Sequence, residues 1–401
     1  MLDKGIFSSP IDQIEQQMTI EGAKPAPISA IASPAGVAQD HTSIYLIHRF
    51  YARRPHDVFS YLINHYSNPG DIILDPFMGG GVTIVEALRL RRKVVGVDVN
   101  PLAWFITREE VSNIDLTEFE SIFNDMTDKV GKRINSFYQT DCHICGNPEA
   151  IAEWYEWSDV LRCPNCGNEQ VLRDTKKLAS RGSRSRRGQP PLIRSERRDV
   201  DEVEEIGEKL YECGNCKTIL STQTCEIVAH RLCKVKVNCP KCKTKGFKAH
   251  KNPSPFDFAQ CEKIKEEAEQ LLPKLFYPKD AIPPGDKTNE LLAKGFTHFW
   301  QLFTLRNLLA FSLLFDYISK IKDPAQRKIW ALTFSSALWR VSRHAYFKSD
   351  GRIVNAGHHY WLPDIPAEMN VWHYFVTRRA TTVCAGKQYS AQEIGSFHQE
   401  A

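Results

Sequence analysis

The sequence predicts an α/β fold carrying a cysteine-rich insert and a helical C-terminal part. Three observations lead there. Between residues 71 and 97 an apolar strand runs through a glycine-rich turn into a helix and a second apolar strand. That order opens a parallel, doubly wound sheet. Between 140 and 250 four C-x-x-C pairs occur in a basic stretch lacking long periodic segments. Beyond Pro255 the apolar spacing becomes helical.

Taken in order, residues 1–40 read as an arm, because Pro, Ala and Ser dominate from Gly22 to Gly36. Residues 41–135 form the α/β region: a helix over Val58–His65, a strand over Asp71–Leu74, a helix over Thr83–Leu90 and a strand over Lys93–Val97. The cysteine-rich insert spans 136–252, and 253–401 is the helical, aromatic-rich remainder. There, helices are expected at Cys261–Leu272, Phe299–Ile321 and Arg327–Val341, and strands and loops over the last sixty residues.

Met1–Ile20 has no long apolar core, so no secretory signal is expected. Asn307–Tyr317 is too short to cross a bilayer. A cytoplasmic protein with no membrane partner is the expectation. The net charge of +4 excludes little. Its distribution says more: residues 176–198 hold nine Lys or Arg against one Glu, which reads as a solvated loop or a phosphate-contacting arm.

Cys142 and Cys145 are followed after 17 residues by Cys163 and Cys166. Cys213 and Cys216 are followed after 22 residues by Cys239 and Cys242. In a reducing compartment such pairs are metal knuckles. The repeat suggests two successive ribbons, each closing four thiolates on one structural Zn2+ with no open position for catalysis. A redox pair fits four knuckles less well. Cys225, Cys233, Cys261 and Cys384 lack paired spacing and read as buried or free thiols, with Cys225 or Cys233 available as substitute ligands. Lys234, Lys236, Lys241, Lys243, Lys245, Lys248 and Lys251 crowd the second ribbon. They suit either DNA phosphates or simple solvation.

The glycine turn follows Asp75, and Asp98 closes the second strand. Glycines let the backbone approach a ligand closely, and a carboxylate at Asp98 can accept both hydroxyls of an adenosine ribose. The dinucleotide fingerprint needs a third glycine where Ile84 stands. Asp75 would also repel a pyrophosphate, yet it suits the sulfonium and ammonium of S-adenosylmethionine.

The run Asp75-Pro76-Phe77-Met78-Gly79-Gly80-Gly81-Val82-Thr83, with Gly96-Val97-Asp98-Val99-Asn100-Pro101, resembles motif I of the DNA N6-adenine and N4-cytosine methyltransferases. Their loop reads D-P-F-x-G-x-G and their second strand ends G-[IV]-[DE]-x-[ND]-P. The resemblance implies a Rossmann-like S-adenosylmethionine-dependent methyltransferase fold. It also implies that Asp75, Phe77, Gly79 and Gly81 line the methionine end, with Pro76 and Thr83 in the same loop. Asp98 would hold the ribose, and Asn100 with Pro101 would flank the adenine. His48–Pro55 looks like the segment that precedes this motif and contributes to the pocket. Trp157–Val160, Ile282–Thr288, Leu302–Asn307 and Asn370-Val371-Trp372 extend the resemblance to the N-terminal part of the zinc-ribbon DNA methyltransferases.

Such enzymes hold the acceptor amine with a [DNS]-P-P-[YFW] loop, whose aromatic stacks on a flipped base. The two Pro-Pro pairs here, Gln189-Pro190-Pro191-Leu192 and Ile282-Pro283-Pro284-Gly285, lack both flanking residues. No catalytic residue can therefore be named. In the resembling enzymes this loop comes later than Ala401.

The expectation is a cofactor-binding component of a DNA amino-methyltransferase in a modification or restriction-modification system, with DNA and a second protein subunit as partners. An RNA guanine-N2 type component and a non-catalytic zinc-ribbon DNA-binding subunit are the alternatives. Arg340, Arg343, His344, Lys348 and Arg352, interleaved with Trp339, Tyr346 and Phe347, suit either a nucleic-acid surface or a packed helix end. His358 and His359 read as structural.

Overall fold

The computed structural model describes residues 42–50, 53–178, 210–222, 224–243, 249–348, 351–355 and 362–395. The N-terminal arm, most of the basic loop, Lys245, Lys248, His358 and His359 lie outside the described residues.

The α/β unit begins with α1 (His56–Tyr66), β1 (Ile72–Asp75), α2 (Val82–Arg89) and β2 (Lys93–Gly96). β1 and β2 pair in parallel, Ile72 opposite Lys93 and Asp75 opposite Gly96. Parallel neighbours need a crossover, and α2 supplies it, burying Val82, Val85 and Leu88. Among the described residues this parallel sheet has two strands. α3 (Pro101–Val111) and α4 (Leu116–Met126) follow. Each starts where a polar side chain takes an orphan amide: Asn100 accepts from Leu102 N–H, and Asp115 from Thr117 N–H.

The insert is more regular than its composition suggests. β3 (Ala150–Arg162) and β4 (Ile227–Asn238) are long strands, paired antiparallel from Ile151 opposite Asn238 to Leu161 opposite Ile227. Periodicity missed β3 because it is buried along most of its length on both faces. Alternation, the usual strand signature, is lost when neither face meets water.

The helical part comprises α5 (Pro255–Leu271), α6 (Leu305–Ser319) and α7 (Pro324–Val341). The expected helix from Phe299 is broken: a 3-10 turn ends at Leu302, and α6 starts behind Thr304, whose side chain accepts from Asn307 N–H. The final stretch, expected as strands and loops, divides: short strands stand at Ala345–Phe347, Ile353–Asn355 and Ala367–Met369, but from Val371 onward it is helical. A short strand β5 (Ala367–Met369) pairs with β3, and then α8 (Val371–Arg378) and α9 (Cys384–Glu393) follow. Trp372 and Phe375 there serve helix packing. Trp330 of α7 stacks on Phe119 of α4 with centroids 4.0 Å apart, and Phe375 of α8 lies at 5.8 Å.

One buried polar knot joins the insert to the helices. Arg306 Nη1 lies 3.3 Å from Glu368 Oε2, with side chains 4% and 1% exposed. Glu368 also accepts from Trp157 Nε1 at 2.6 Å and Thr304 Oγ1 at 2.6 Å. Beside it Asn307 accepts from Tyr138 and donates to the Val341 and Met369 carbonyls. Removing one partner from such a cluster leaves the other's charge buried and unanswered. Glu368→Ala should therefore cost about 3–5 kcal/mol, read as a lowered midpoint in urea, because it strands the Arg306 charge.

Candidate cofactor loop and metal centres

The cofactor candidates gather at the C-terminal ends of β1 and β2. The Asp75 carbonyl accepts from Val97 N–H at 2.9 Å, and the Val97 carbonyl from Met78 N–H at 3.0 Å. These bonds stitch the glycine turn across both strand ends. Asp98 braces it further, with Oδ2 accepting from Gly79 N–H and Oδ1 from Asn100 N–H, both at 2.8 Å. Asp75 Oδ1 accepts from Phe77 N–H at 3.0 Å. Each carboxylate keeps lone pairs for a ligand.

Gly81 has φ 76° and caps α2. A Cβ there would overlap the side chain of Thr107, and one on Gly80 would come within 2.9 Å of Arg53. The turn thus lies close against α3 and the 48–55 segment, as a loop shaped by glycine must. Phe77 and Val99 stand out in solvent on either side, 86% and 100% exposed. Asn100 and Pro101 open α3, the Asn100 side chain being committed to its cap. Thr83 lies one residue inside α2.

The sequence left the support behind this turn largely unnamed. Arg53 Nη2 pairs with Glu110 Oε1 at 2.6 Å, fully buried, and Nη1 donates to the Tyr45 carbonyl. Burial pushes the Glu110 carboxyl up to about 7, against the pull of Arg53. Glu86 of α2, also buried, accepts from Tyr45 Oη at 2.7 Å and Arg89 Nε at 2.8 Å. The basic run at 49–54 was the available signal for Arg53; its buried carboxylate, 57 residues away, gave none.

His48 is held by the Arg49 carbonyl at 2.7 Å and Ser335 Oγ at 3.0 Å. Burial, aided by the Arg53 and Arg378 charges, pushes the ring down to about 4.

The eight paired cysteines gather into two tetrathiolate clusters, but not the successive ones expected. Cys142 and Cys145 meet Cys239 and Cys242, while Cys163 and Cys166 meet Cys213 and Cys216. The grouping is nested, outer knuckles together and inner knuckles together. Sulfur separations include 3.5 Å for Cys142–Cys242, 3.6 Å for Cys145–Cys239 and for Cys163–Cys216, and 3.7 Å for Cys166–Cys213. A tetrahedral site with Zn–S near 2.3 Å needs thiolates roughly 3.7 Å apart, so each cluster fits one zinc.

All four knuckles share one turn. The fourth residue after each leading cysteine returns its N–H to that cysteine's carbonyl: Gly146, Gly167, Lys217 and Lys243, at 2.8–3.0 Å. Each takes positive φ, the two lysines included, at 64° and 46°. The Thr218 hydrogen bond draws the Cys216 thiol down to about 5, and the Cys242 amide draws Cys239 down to about 6. In the same clusters burial and neighbouring thiols push Cys163 and Cys145 up to about 11, so each cluster joins a thiol inclined to the thiolate a metal needs with one that only the metal would deprotonate. Cys225, Cys233, Cys261 and Cys384 join neither cluster.

The lysines near the second ribbon divide. Lys251 is buried against Asp141 and Asp257, and Lys236 pairs with Glu153 at 2.6 Å. Lys241 and Lys243 remain exposed. Of the late basic and aromatic cluster, Arg340 donates to the Ile353 carbonyl, and His344 and Tyr346 are buried. Most of that cluster packs the fold.

The sequence profile of the DNA methylase family, covering N6- and N4-methyltransferases, matches residues 27–105. That stretch holds the glycine turn and both carboxylates. Residues 27–105 are thus similar to the DNA methylase family. Curated relatives agree. Type II methyltransferase M.MjaII of Methanocaldococcus jannaschii is 29% identical over 86 residues, 21% of this chain and 16% of that protein. M.MvaI of Kocuria varians is 25% identical over 109 residues, 26% and 24% of the two chains. M1.MboII of Moraxella bovis is 43% identical over 47 residues, 12% and 18%. The chain thus spans at most 24% of the length of these methyltransferases. No solved structure matches the chain significantly. Among the described residues no helix is long and apolar enough to cross a membrane.

Two measurements test this geometry. Pairing Cys163→Ser with Cys213→Ser should leave one zinc per chain by metal analysis, whereas Cys142→Ser with Cys163→Ser should leave none; successive ribbons would give the reverse. Because the folded pKa of His48 lies below its unfolded value near 6.5, its contribution to stability is full above 6.5 and lost as pH falls through about 4. His48→Gln should flatten that part of the wild-type melting profile.

Proposed function

We propose that this chain is the S-adenosylmethionine-binding component of a DNA amino-methyltransferase, acting on adenine N6 or cytosine N4 in a modification or restriction-modification system. A partner chain supplies the [DNS]-P-P-[YFW] loop. The observation that carries the reading is the glycine turn held between Asp75 and Asp98 at the ends of two parallel strands, within a stretch matching the DNA methylases.

S-adenosylmethionine would supply the methyl group on a sulfonium, open to displacement by the amine. The residues around it do the rest. Asp75 offers a carboxylate oxygen to the cationic methionine end, and Asp98 offers its free lone pairs to the ribose hydroxyls. The bare backbone of Gly79–Gly81 lets the ligand approach, while Phe77 and Val99 offer apolar surface to its flanks. Arg53, Glu110 and Thr107 position the loop from behind. The zinc clusters, with all four positions filled by protein, are structural. Division into an α/β region at 41–135, an insert at 136–252 and a C-terminal region at 253–401 is retained as the working organisation. Within this reading the α/β region is one part of a larger Rossmann-like sheet.

The partner is supported by what the sheet leaves bare. Ile72, Leu74, Val97 and Val99 are 61%, 56%, 53% and 100% exposed. Parallel sheets are ordinarily covered on both faces, and an apolar sheet face in water marks an interaction surface. Further parallel strands and their helices, carrying the acceptor loop, would cover it.

Titration with S-adenosylmethionine should give 1:1 binding that Asp98→Ala weakens at least about tenfold, the worth of a charged hydrogen bond. Unchanged affinity would overturn the site. Labelled-methyl transfer should go to duplex DNA and not to tRNA, and only with a protein bearing the acceptor loop present. Transfer to tRNA would favour the RNA reading, and DNA binding without transfer the non-catalytic one.

A further inference from the structure

Away from the glycine turn lies a cavity of about 450 Å³ between the β3–β4 sheet and the start of α6. Trp300, Phe296, Arg343, Lys294, His230 and Asp159 line it. Trp300 is 36% exposed, so an aromatic face is within reach of solvent.

Arg343 is the unusual member. Burial pulls its guanidinium below the ordinary arginine range, and its side chain makes one long bond, from Nε to the Phe303 carbonyl at 3.4 Å. Among the described residues no carboxylate lies within ion-pair distance of it. The two acidic groups whose field it feels are Glu368 and Asp159. Arg306 and Thr304 engage the first, and the His230 ring, at 2.7 Å, engages the second. Arg343 is half-buried along the cavity wall, and a cation there with no carboxylate in reach is free to take an anion. Its terminal nitrogens form a fork suited to phosphate. Lys294 Nζ donates one bond, to the Leu362 carbonyl at 3.2 Å, and has two more to give.

We propose that this cavity holds one nucleotide of a nucleic-acid strand, its phosphate on Arg343 and Lys294 and its base stacked on Trp300. The volume decides against a lone inorganic anion, which would leave the aromatic wall unused; ligand pockets of some 300–1,000 Å³ take whole small molecules. Stacking on an aromatic beside a phosphate-binding cation is how sequence-tolerant strand binding works. Asp159 and His230 offer polar atoms to a base edge. The inference rests on the proposed nucleic-acid substrate but not on the cofactor site.

The test is fluorescence anisotropy of a labelled 12-nucleotide DNA, single-stranded and duplex, with the full chain. Arg343→Gln should weaken binding about tenfold or more, Arg343→Lys should recover part of it, and Trp300→Ala should weaken it comparably. Melting temperatures screen for misfolding; if Arg343→Gln fails to fold, the more exposed Trp300→Ala carries the test. Unchanged affinity in folded variants would overturn the proposal. So would competition by inorganic phosphate as strong as by unlabelled oligonucleotide, which would mark a simple anion site. If S-adenosylmethionine binds normally while these variants leave DNA affinity untouched, the pocket alone is wrong. Loss of cofactor binding with DNA affinity still sensitive to Arg343 would leave the pocket standing and sink the methyltransferase reading.

Discussion

The β3–β4 ladder is the constraint on which the rest depends. A 13-residue strand is roughly 40 Å long at the usual rise. Its antiparallel partner runs back along it from Ile151 to Leu161, the register shifting at three bulges along the way. At one end the chain entering β3 carries Cys142 and Cys145, and the chain leaving β4 carries Cys239 and Cys242. At the other end the chain leaving β3 carries Cys163 and Cys166, facing Cys213 and Cys216 across the hairpin that leads back to β4. The cysteine clusters act as clasps on both ends of one ladder, and the ladder decides which thiols meet.

That ladder is also the bridge between the helices and the sheet beside them. β5 pairs on its edge, and the Arg306–Glu368 knot ties Trp157 of β3 to the start of α6. The core is continuous: Tyr138, Tyr155 and Val235 of the insert share it with Leu308, Trp330 and Phe375 of the helices, and with Val85 of the glycine-turn unit. The insert is cysteine-rich in sequence yet is a load path in structure, since the hydrophobic surface of its strands is what the helices pack upon.

The glycine turn shows the same dependence on distant partners. Its own bonds are local, strand end to strand end. Its position is held from behind by Arg53, Glu110 and Thr107, and α2 is held by Glu86 against Tyr45. On this side of the molecule the buried cations are all answered, Arg53 and Arg89 by carboxylates and Arg92 and Lys387 by hydroxyl and carbonyl oxygens. The unpaired Arg343 and the bare face of the parallel sheet are the departures from that order, and both are where binding is proposed.

The sequence by itself determined the strand–turn–helix–strand unit, the glycine positions and the eight cysteines of the candidate metal clusters. These are short-range patterns, written in neighbouring residues: apolar runs bounded by Pro69-Gly70, a turn that tolerates no Cβ, and sulfurs two residues apart. Tertiary structure alone decided which knuckles join, that β3 is a long strand, that the last residues are helices, and which carboxylate answers Arg53. Four knuckles can pair in three ways, and the choice lies in strand register, a property of residues 66 to 87 apart. A strand buried on both faces loses the alternation that would announce it. A buried charge finds its partner through packing, and packing leaves no spacing in the chain to read.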